Sequence, residues 1–525
     1  MKKSMVYIVA LILATCFFIS NTCVVSASDG NSIHGKLRYL GSYSTGLSNE
    51  DGGVAEIVKF NSDNKKMYLV NGATQTVDIV SLNDVKSGEK AVLTIEKRLD
   101  VAEIAKTNDF SYGDVTSVAV NTVRKFVVIA VQAEKYYDNG NIVLLDYDGN
   151  YITHFECGVQ PDMITVSKDG NLILTADEGE PREGYGESAV DPKGSVTIVD
   201  LSAGIENAAV SVLDFTAFDD SVTQLVSDKV LLKPGTLPSL DFEPEYVAVS
   251  TDGKFAYVSL QEANAIATVD LEAKKIISVK GLGFKDHNLE ENALDALRDG
   301  QFKLETQNLF GVYMPDGIAS VNIGGTDYVL TANEGDAREW EGYEDIDSKS
   351  VNETEYKIDI IKNSKRMGLE PDKAYIYGAR SFSIWDASTM QLIYDSGSDF
   401  ERITGEFYPN YFNSSHTSTG LDARSGRKGP EPEEVQVLKV DDKVYAFIGL
   451  ERIGGVMVYD VTTPSNASFY DYINARDFSG SDIGNSGSLG AEGIDVIEAA
   501  NSPTGSAIIL VANEVSGTVD LFEFE

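Results

Sequence analysis

The stretch Asp162-Met163-Ile164-Thr165-Val166, followed by Ser167-Lys168-Asp169-Gly170 and then Asn171-Leu172-Ile173-Leu174-Thr175, decides the fold. An acidic residue opens it, apolar positions alternate, Asp-Gly interrupts, and a second apolar run begins. Alternation with a period of two, broken by turn residues, marks antiparallel strands and not helices. The same grammar returns from Glu245, with its turn at Asp252-Gly253 and its second strand at 255–259. A third strand then ends in an apolar residue plus Asp, as in Val199-Asp200, Val269-Asp270, Trp385-Asp386 and Tyr459-Asp460. First strands begin near Glu56, Thr116, Asp162, Glu245, Asp316, Glu433 and Glu492, at spacings between 46 and 117 residues. The repeats therefore carry insertions.

Seven such units, none able to bury both faces alone, predict an all-β chain closed into a single seven-bladed β-propeller. The last unit supplies three strands, and Lys36-Leu37-Arg38-Tyr39-Leu40 belongs to no repeat. That N-terminal segment is expected to close the last blade and cover an edge that would otherwise be open. Two β-sandwiches are the competing arrangement, but no linker rich in Pro, Gly or Ser divides the chain. Residues 281–312 form one insertion, where Leu289, Ala293, Leu294 and Leu297 have spacing suited to a short helix. Residues 340–378 form another, strongly charged, between the second and third strands of the fifth unit. It is expected to be a solvated decoration.

The 525 residues include 43 Lys plus Arg against 82 Asp plus Glu, a formal net charge of −39. Such an excess argues against binding nucleic acid or anionic lipid and permits divalent cations or basic partners. Lys2 and Lys3, the apolar run 5–19 and Val25-Ser26-Ala27 make residues 1–27 a secretory signal peptide, leaving 28–525 as one secreted domain. Cleavage would leave Cys157 as the single thiol, expected to be a buried apolar residue. No second apolar stretch is long enough to span a bilayer. The expected product is an extracellular monomer whose ligand or surface partner the sequence does not name.

Haem, nucleotide and zinc sites have no supporting motif: four His sit in no ligand spacing, and there is no glycine phosphate loop. His287 and His416 are expected to pack within loops. Asp146-Tyr147-Asp148-Gly149-Asn150 has a passing likeness to a calcium loop but lies between strands, where a hairpin turn is expected.

The residues that carry chemistry are carboxylates. In a propeller the first strand starts on the face where the second ends. The acids at first-strand starts (Glu56, Asp162, Glu245, Asp316, Glu433, Glu492) should therefore meet those after second strands (Asp177-Glu178, Asn333-Glu334, Glu451, Asn513-Glu514). Crowded carboxylates repel unless neutralised, and hard oxygen ligands suit calcium or magnesium. Glu178, Glu334, Glu433, Glu451, Glu492 and Glu514 are the candidate metal ligands, with Ca²⁺ the expected ion. Arg182 and Arg338, in the matching runs GEPRE and GDARE, and Arg452 are candidates to hold an anionic ligand bidentately. Capping of the blades by neighbouring Arg and backbone N–H groups would use the same acids without any metal.

A family resemblance rests on Ser398-Asp399-Phe400-Glu401-Arg402, on Lys428-Gly429-Pro430-Glu431-Pro432-Glu433, and on the run from Ala446 to Asp460. Thr331-Ala332-Asn333-Glu334-Gly335 and Met314-Pro315-Asp316 add to it. The chain resembles the choice-of-anchor I family, which includes the mesenchyme-specific cell-surface glycoproteins. The resemblance implies an extracellular YVTN/WD40-like propeller, usually held at a surface by a C-terminal device, which Phe522-Glu523-Phe524-Glu525 does not resemble. It also implies a longer Asp-rich loop than Asp295 and Asp299 provide here, and some relatives carry phosphatase-like labels. Two functions follow as expectations: a binding propeller with a cation-holding face, or a calcium-dependent phosphoesterase in which Arg182 or Arg338 grips phosphoryl oxygens.

Overall fold

The computed structural model describes residues 37–106 and 110–525. The expected signal peptide lies outside the described residues. Among those described, seven four-stranded antiparallel sheets follow one another along the chain. Their first strands are Val58–Asn61, Tyr112–Asn121, Pro161–Val166, Pro244–Val249, Ile318–Ile323, Pro432–Val440 and Ala491–Ile497. Each first strand lies beside that of the next sheet, and the first strand of the seventh sheet lies beside that of the first. The acidic residues at their starts therefore surround one axis.

The repeated polar residues have local physical roles. Ser167 donates to the Asp169 carboxylate at 2.6 Å and accepts from the Leu172 amide at 2.9 Å. Ser250, Asp252 and Phe255 repeat that turn at 2.9 and 3.0 Å. Gly170 and Gly253 occupy the left-handed positions, at φ 71° and 72°, that side chains rarely adopt. The Asp that ends four of the third strands caps the following turn: Asp200, Asp270, Asp386 and Asp460 accept the amides of Ser202, Ala273, Ser388 and Thr462. The Asp146–Asn150 segment is the hairpin turn joining Asn139–Leu145 to Tyr151–Val159, with Asp146 accepting the Asp148 and Asn150 amides.

The strand Leu37–Ser44 adds to the seventh sheet, antiparallel to Thr518–Phe524, pairing Leu37 with Phe524 and Tyr43 with Val519. Leu37, Leu40 and Tyr43 are buried there. Each such side chain is worth about 1.5–3 kcal/mol of burial. Tyr43 also donates to Asp78 of the first sheet at 2.6 Å. Cys157 is a buried free thiol, and burial raises its pKa.

The two insertions differ from their expectations. No α-helix forms over 281–312; the segment has a single 3₁₀ turn, Glu290–Asn292, and short strands Phe284–Asp286 and Phe310–Val312. The Asp295 carboxylate accepts the Leu297 and Lys303 amides, offering that backbone a loop alternative to helical hydrogen bonds. Only part of the second insertion is solvated. Its strand Tyr375–Tyr377 pairs parallel to Phe310–Val312, so the two insertions build one small sheet, and Tyr375, Ile376 and Tyr377 are buried.

Candidate functional site

The site is made by an irregularity repeated around the axis. In five sheets the ladder between first and second strands shifts register at the same place: at Thr116, Asp162, Glu245, Glu433 and Glu492. A bulge frees its residue from strict pairing and re-aims its side chain. The acids are thus lifted out of the alternation that would bury them between sheets. The neighbouring second-strand ends divide two tasks between adjacent residues. Asp177 accepts hydrogen bonds from Thr175, Ser195 and Thr197 at 2.7–2.8 Å. Asn333 similarly ties Thr331 to Ser383. Glu178 and Glu334, one residue on, are left to join the acids of the first strands.

The carboxylates converge in groups whose candidate ligand atoms lie within 4.8 Å of one another: Asp162 with Glu178 and Glu245, and Asp316 with Glu334 and Glu433. Glu334, Glu431 and Glu451 form a third such group, and His416, Glu451 and Glu514 a fourth. Glu492 stands with Asp162, Asp316 and Glu433 around a narrow axial cavity of about 50 Å³. In its wall, Tyr246 Oη donates to Glu434 at 2.5 Å, tying the fourth sheet to the sixth. Tyr246 and Met163 also border a second cavity of about 320 Å³, lined by Lys59, Phe60, Val249, Gln436 and Asp495.

Electrostatics separates two parts of this face. Burial, and after it the neighbouring carboxylates, raises Glu56, Glu178, Glu245, Glu433 and Glu492 well above the usual range. The same causes push Asp162, Asp316, Glu334 and Glu514 up to about 7, against hydrogen bonds and nearby cations that lower them. Glu433 keeps one enclosed oxygen without a hydrogen bond, as does Glu56. The opposite holds at Lys428. Its ammonium contacts Glu334, lies 3.1 Å from Glu431 and donates to the Gly335 carbonyl at 2.6 Å. Arg424 also pairs with Glu431, and Arg452 reaches it at 2.9 Å. Burial works against the Glu431 charge, but Lys428, Arg452 and Arg424 outweigh it and hold this carboxyl well below its usual range.

The three arginines singled out in the sequence have different fates. Arg182 is partly exposed at the acidic face, 3.3 Å from Glu178 and 2.9 Å from Glu180, and donates to Gln132 at 2.8 Å. Arg452 joins Glu431, lies 2.6 Å from Glu451 and is 2.7 Å from His416 Nδ1. Arg338 is fully enclosed against Asp241 and Glu243, away from solvent and unable to grip a ligand at the face. Matching runs thus place their arginines in unlike settings, because only Arg338 meets carboxylates contributed by the 241–243 segment. Lys428, Glu431 and Arg424 had no assigned role in the sequence. The one available signal was the Lys428–Glu431 spacing across Pro430. His416 does more than pack a loop, lying 3.1 Å from Glu451.

Over 163 residues the chain is 34% identical to Gigasin-3a of Magallana gigas, a match covering 29% of this chain and 57% of that protein. It is 26% identical over 113 residues to the mesenchyme-specific cell surface glycoprotein of Strongylocentrotus purpuratus, covering 19% of this chain and 14% of that one. The chain thus spans about half of the first relative and a small part of the second. The β-propeller domain of Swd1 from Myceliophteria thermophila superposes at a TM-score of 0.41 with 9% identity, covering 92% of this chain and 100% of that one. The sequence profile of the choice-of-anchor I domain matches residues 56–464, and the chain belongs to that family.

Proposed function

We propose that this chain is an extracellular or surface-held propeller of seven blades, closed by Leu37–Ser44, that holds a divalent cation on its axial carboxylates and uses that face to bind a ligand or partner. The single domain spans 28–525, behind a cleaved signal at 1–27. The observation that carries the reading is the bulge that falls at an acidic residue in four sheets, because structural caps would not need four strands to break register at the acid. The enclosed Glu433 oxygen without a partner supports it, as does the likeness of part of the chain to a cell surface glycoprotein. Asp316 and Glu433, with Glu334 shared with Lys428, offer oxygen ligands of the kind calcium takes. Asp162, Glu178 and Glu245 offer a second such set. The phosphoesterase alternative is weaker, since Arg338 is enclosed and no nucleophile has been identified.

Calcium should stabilise the protein by mass action, by about 2.7 kcal/mol at a hundred times its dissociation constant. Thermal unfolding at constant ionic strength, with calcium, magnesium or chelator, measures this. The rise should vanish in the Asp316→Asn, Glu433→Gln double variant; identical curves in all three conditions would remove the cation. Closure has its own test. Deleting residues 37–44 uncovers the edge strand Thr518–Phe524 and should lower the melting temperature sharply, and an unchanged melt would exclude the closed ring.

A further inference from the structure

Among the described residues four arginines are almost wholly buried: Arg338, Arg366, Arg380 and Arg476, none more than 3% exposed. Three of them meet carboxylates. Arg338 pairs with Asp241 and Glu243, Arg366 with Asp345, and Arg380 with Glu401. Arg476 has no carboxylate partner, in a chain with 82 acidic residues. Asp477, next in sequence, turns its carboxylate to the Ser479 amide and hydroxyl instead. The Arg476 Nη1 donates to the Arg452 carbonyl at 3.0 Å and reaches Ser414 Oγ at 3.5 Å. Nε is enclosed without a partner, whereas Nη2 is not among the enclosed unpartnered atoms. The guanidinium lies 4.8 Å from the centre of the Phe478 ring, which fixes its plane. Burial pulls its pKa down to about 10, opposed only by Tyr472.

A buried charge without a counter-charge is costly, and proteins ordinarily pair it. Here the surrounding segments hold the guanidinium in place while leaving Nε without a protein acceptor. Arg476 lies on the connection from the sixth sheet to the seventh, and Ser414 on the connection from the fifth to the sixth. Arg452, whose carbonyl steadies it, pairs with Glu431 and Glu451 of the acidic face. A guanidinium held in this way suits an oxyanion, which it can meet through the N–H groups of its unenclosed Nη2 end.

We propose that Arg476 is the anchor of an oxyanion-binding site, taking a carboxylate, sulfate or phosphate group of a ligand at the edge of the acidic face. The site does not depend on a divalent cation. The test therefore uses the full chain in chelator, with low-millimolar sulfate, phosphate or acetate added against chloride at matched ionic strength. Thermal unfolding should rise saturably with at least one of these anions, and which one responds identifies the group. The rise should be absent in Arg476→Gln, and that variant should melt no lower than the parent in chloride, since it removes an uncompensated charge. Equal responses in parent and variant would indicate general salt effects and overturn the site. An unresponsive parent would do the same. If Arg476→Gln fails to fold, Arg476→Lys decides. It keeps the charge without the fork, and a half-saturating concentration raised roughly tenfold supports the proposal, whereas an unchanged one refutes it.

Discussion

Glu431 and Glu433 stand two residues apart and titrate in opposite directions. Around Glu431 the chain gathers Lys428, Arg424 and Arg452, and the carboxyl is held well below its usual range. Glu433 sits in the bulge that opens the sixth sheet, where burial and then Glu334, Glu492 and Asp316 drive it well above. One of its oxygens is enclosed with no partner. The contrast distinguishes an acid that the protein has neutralised itself from an acid left for something else to neutralise. It also divides the four acidic groups. The group at Lys428 is already occupied by an internal cation, so ion binding is expected at the axis.

The largest effect should come from breaking the neutralised corner. Lys428→Met leaves Glu334 and Glu431 buried with their ammonium partner gone, and breaking a buried pair costs about 3–5 kcal/mol. Urea unfolding measures it. A loss below about 1 kcal/mol would mean that Arg424 and Arg452 neutralise Glu431 without Lys428.

A smaller effect should come from pH. Asp162, Asp316, Glu334 and Glu514 titrate near 7 when folded, against about 4 when unfolded. The native state therefore binds more protons than the unfolded state in this window. Their contribution to stability is full below the unfolded values and is lost as pH rises through about 7. Glu431 has the reverse sign: its contribution is present above the unfolded value and is lost only in stronger acid. In chelator the protein should thus be more stable at pH 5 than at pH 8, by about 2–3 kcal/mol for each such acid. Glu433→Gln should lessen that difference, because it removes one of the repelling charges. A urea midpoint that is flat or rises from pH 5 to pH 8 would show that the axial acids are neutralised by the protein after all.

Much of the fold was legible because it rests on local chemistry. The alternation of 162–166, the Asp-Gly turns and the terminal Asp of four third strands act within a few residues, and each performs its role where it stands. The segment 281–312 was misread for a related reason: apolar spacing suggested a helix, but Asp295 captures the backbone amides that a helix would need. Candidate acids were legible as repeated positions. Arg338 was not distinguishable from Arg182, since the runs around them match and the difference lies in Asp241 and Glu243, about a hundred residues upstream.

By itself the sequence determined the strands, their turns, the surplus of negative charge and the positions in each repeat where acids fall, because periodicity and turn chemistry are read from neighbours along the chain. Only the tertiary structure decided which of those acids are answered. Lys428, Arg424 and Arg452 converge on Glu431 from separate segments, while the bulges turn Asp162, Glu245, Glu433 and Glu492 toward an axis shared by all the sheets. Whether a buried carboxylate is neutral, paired or left open depends on charges and desolvation across a few ångströms of space, and separation along the chain carries no measure of that distance.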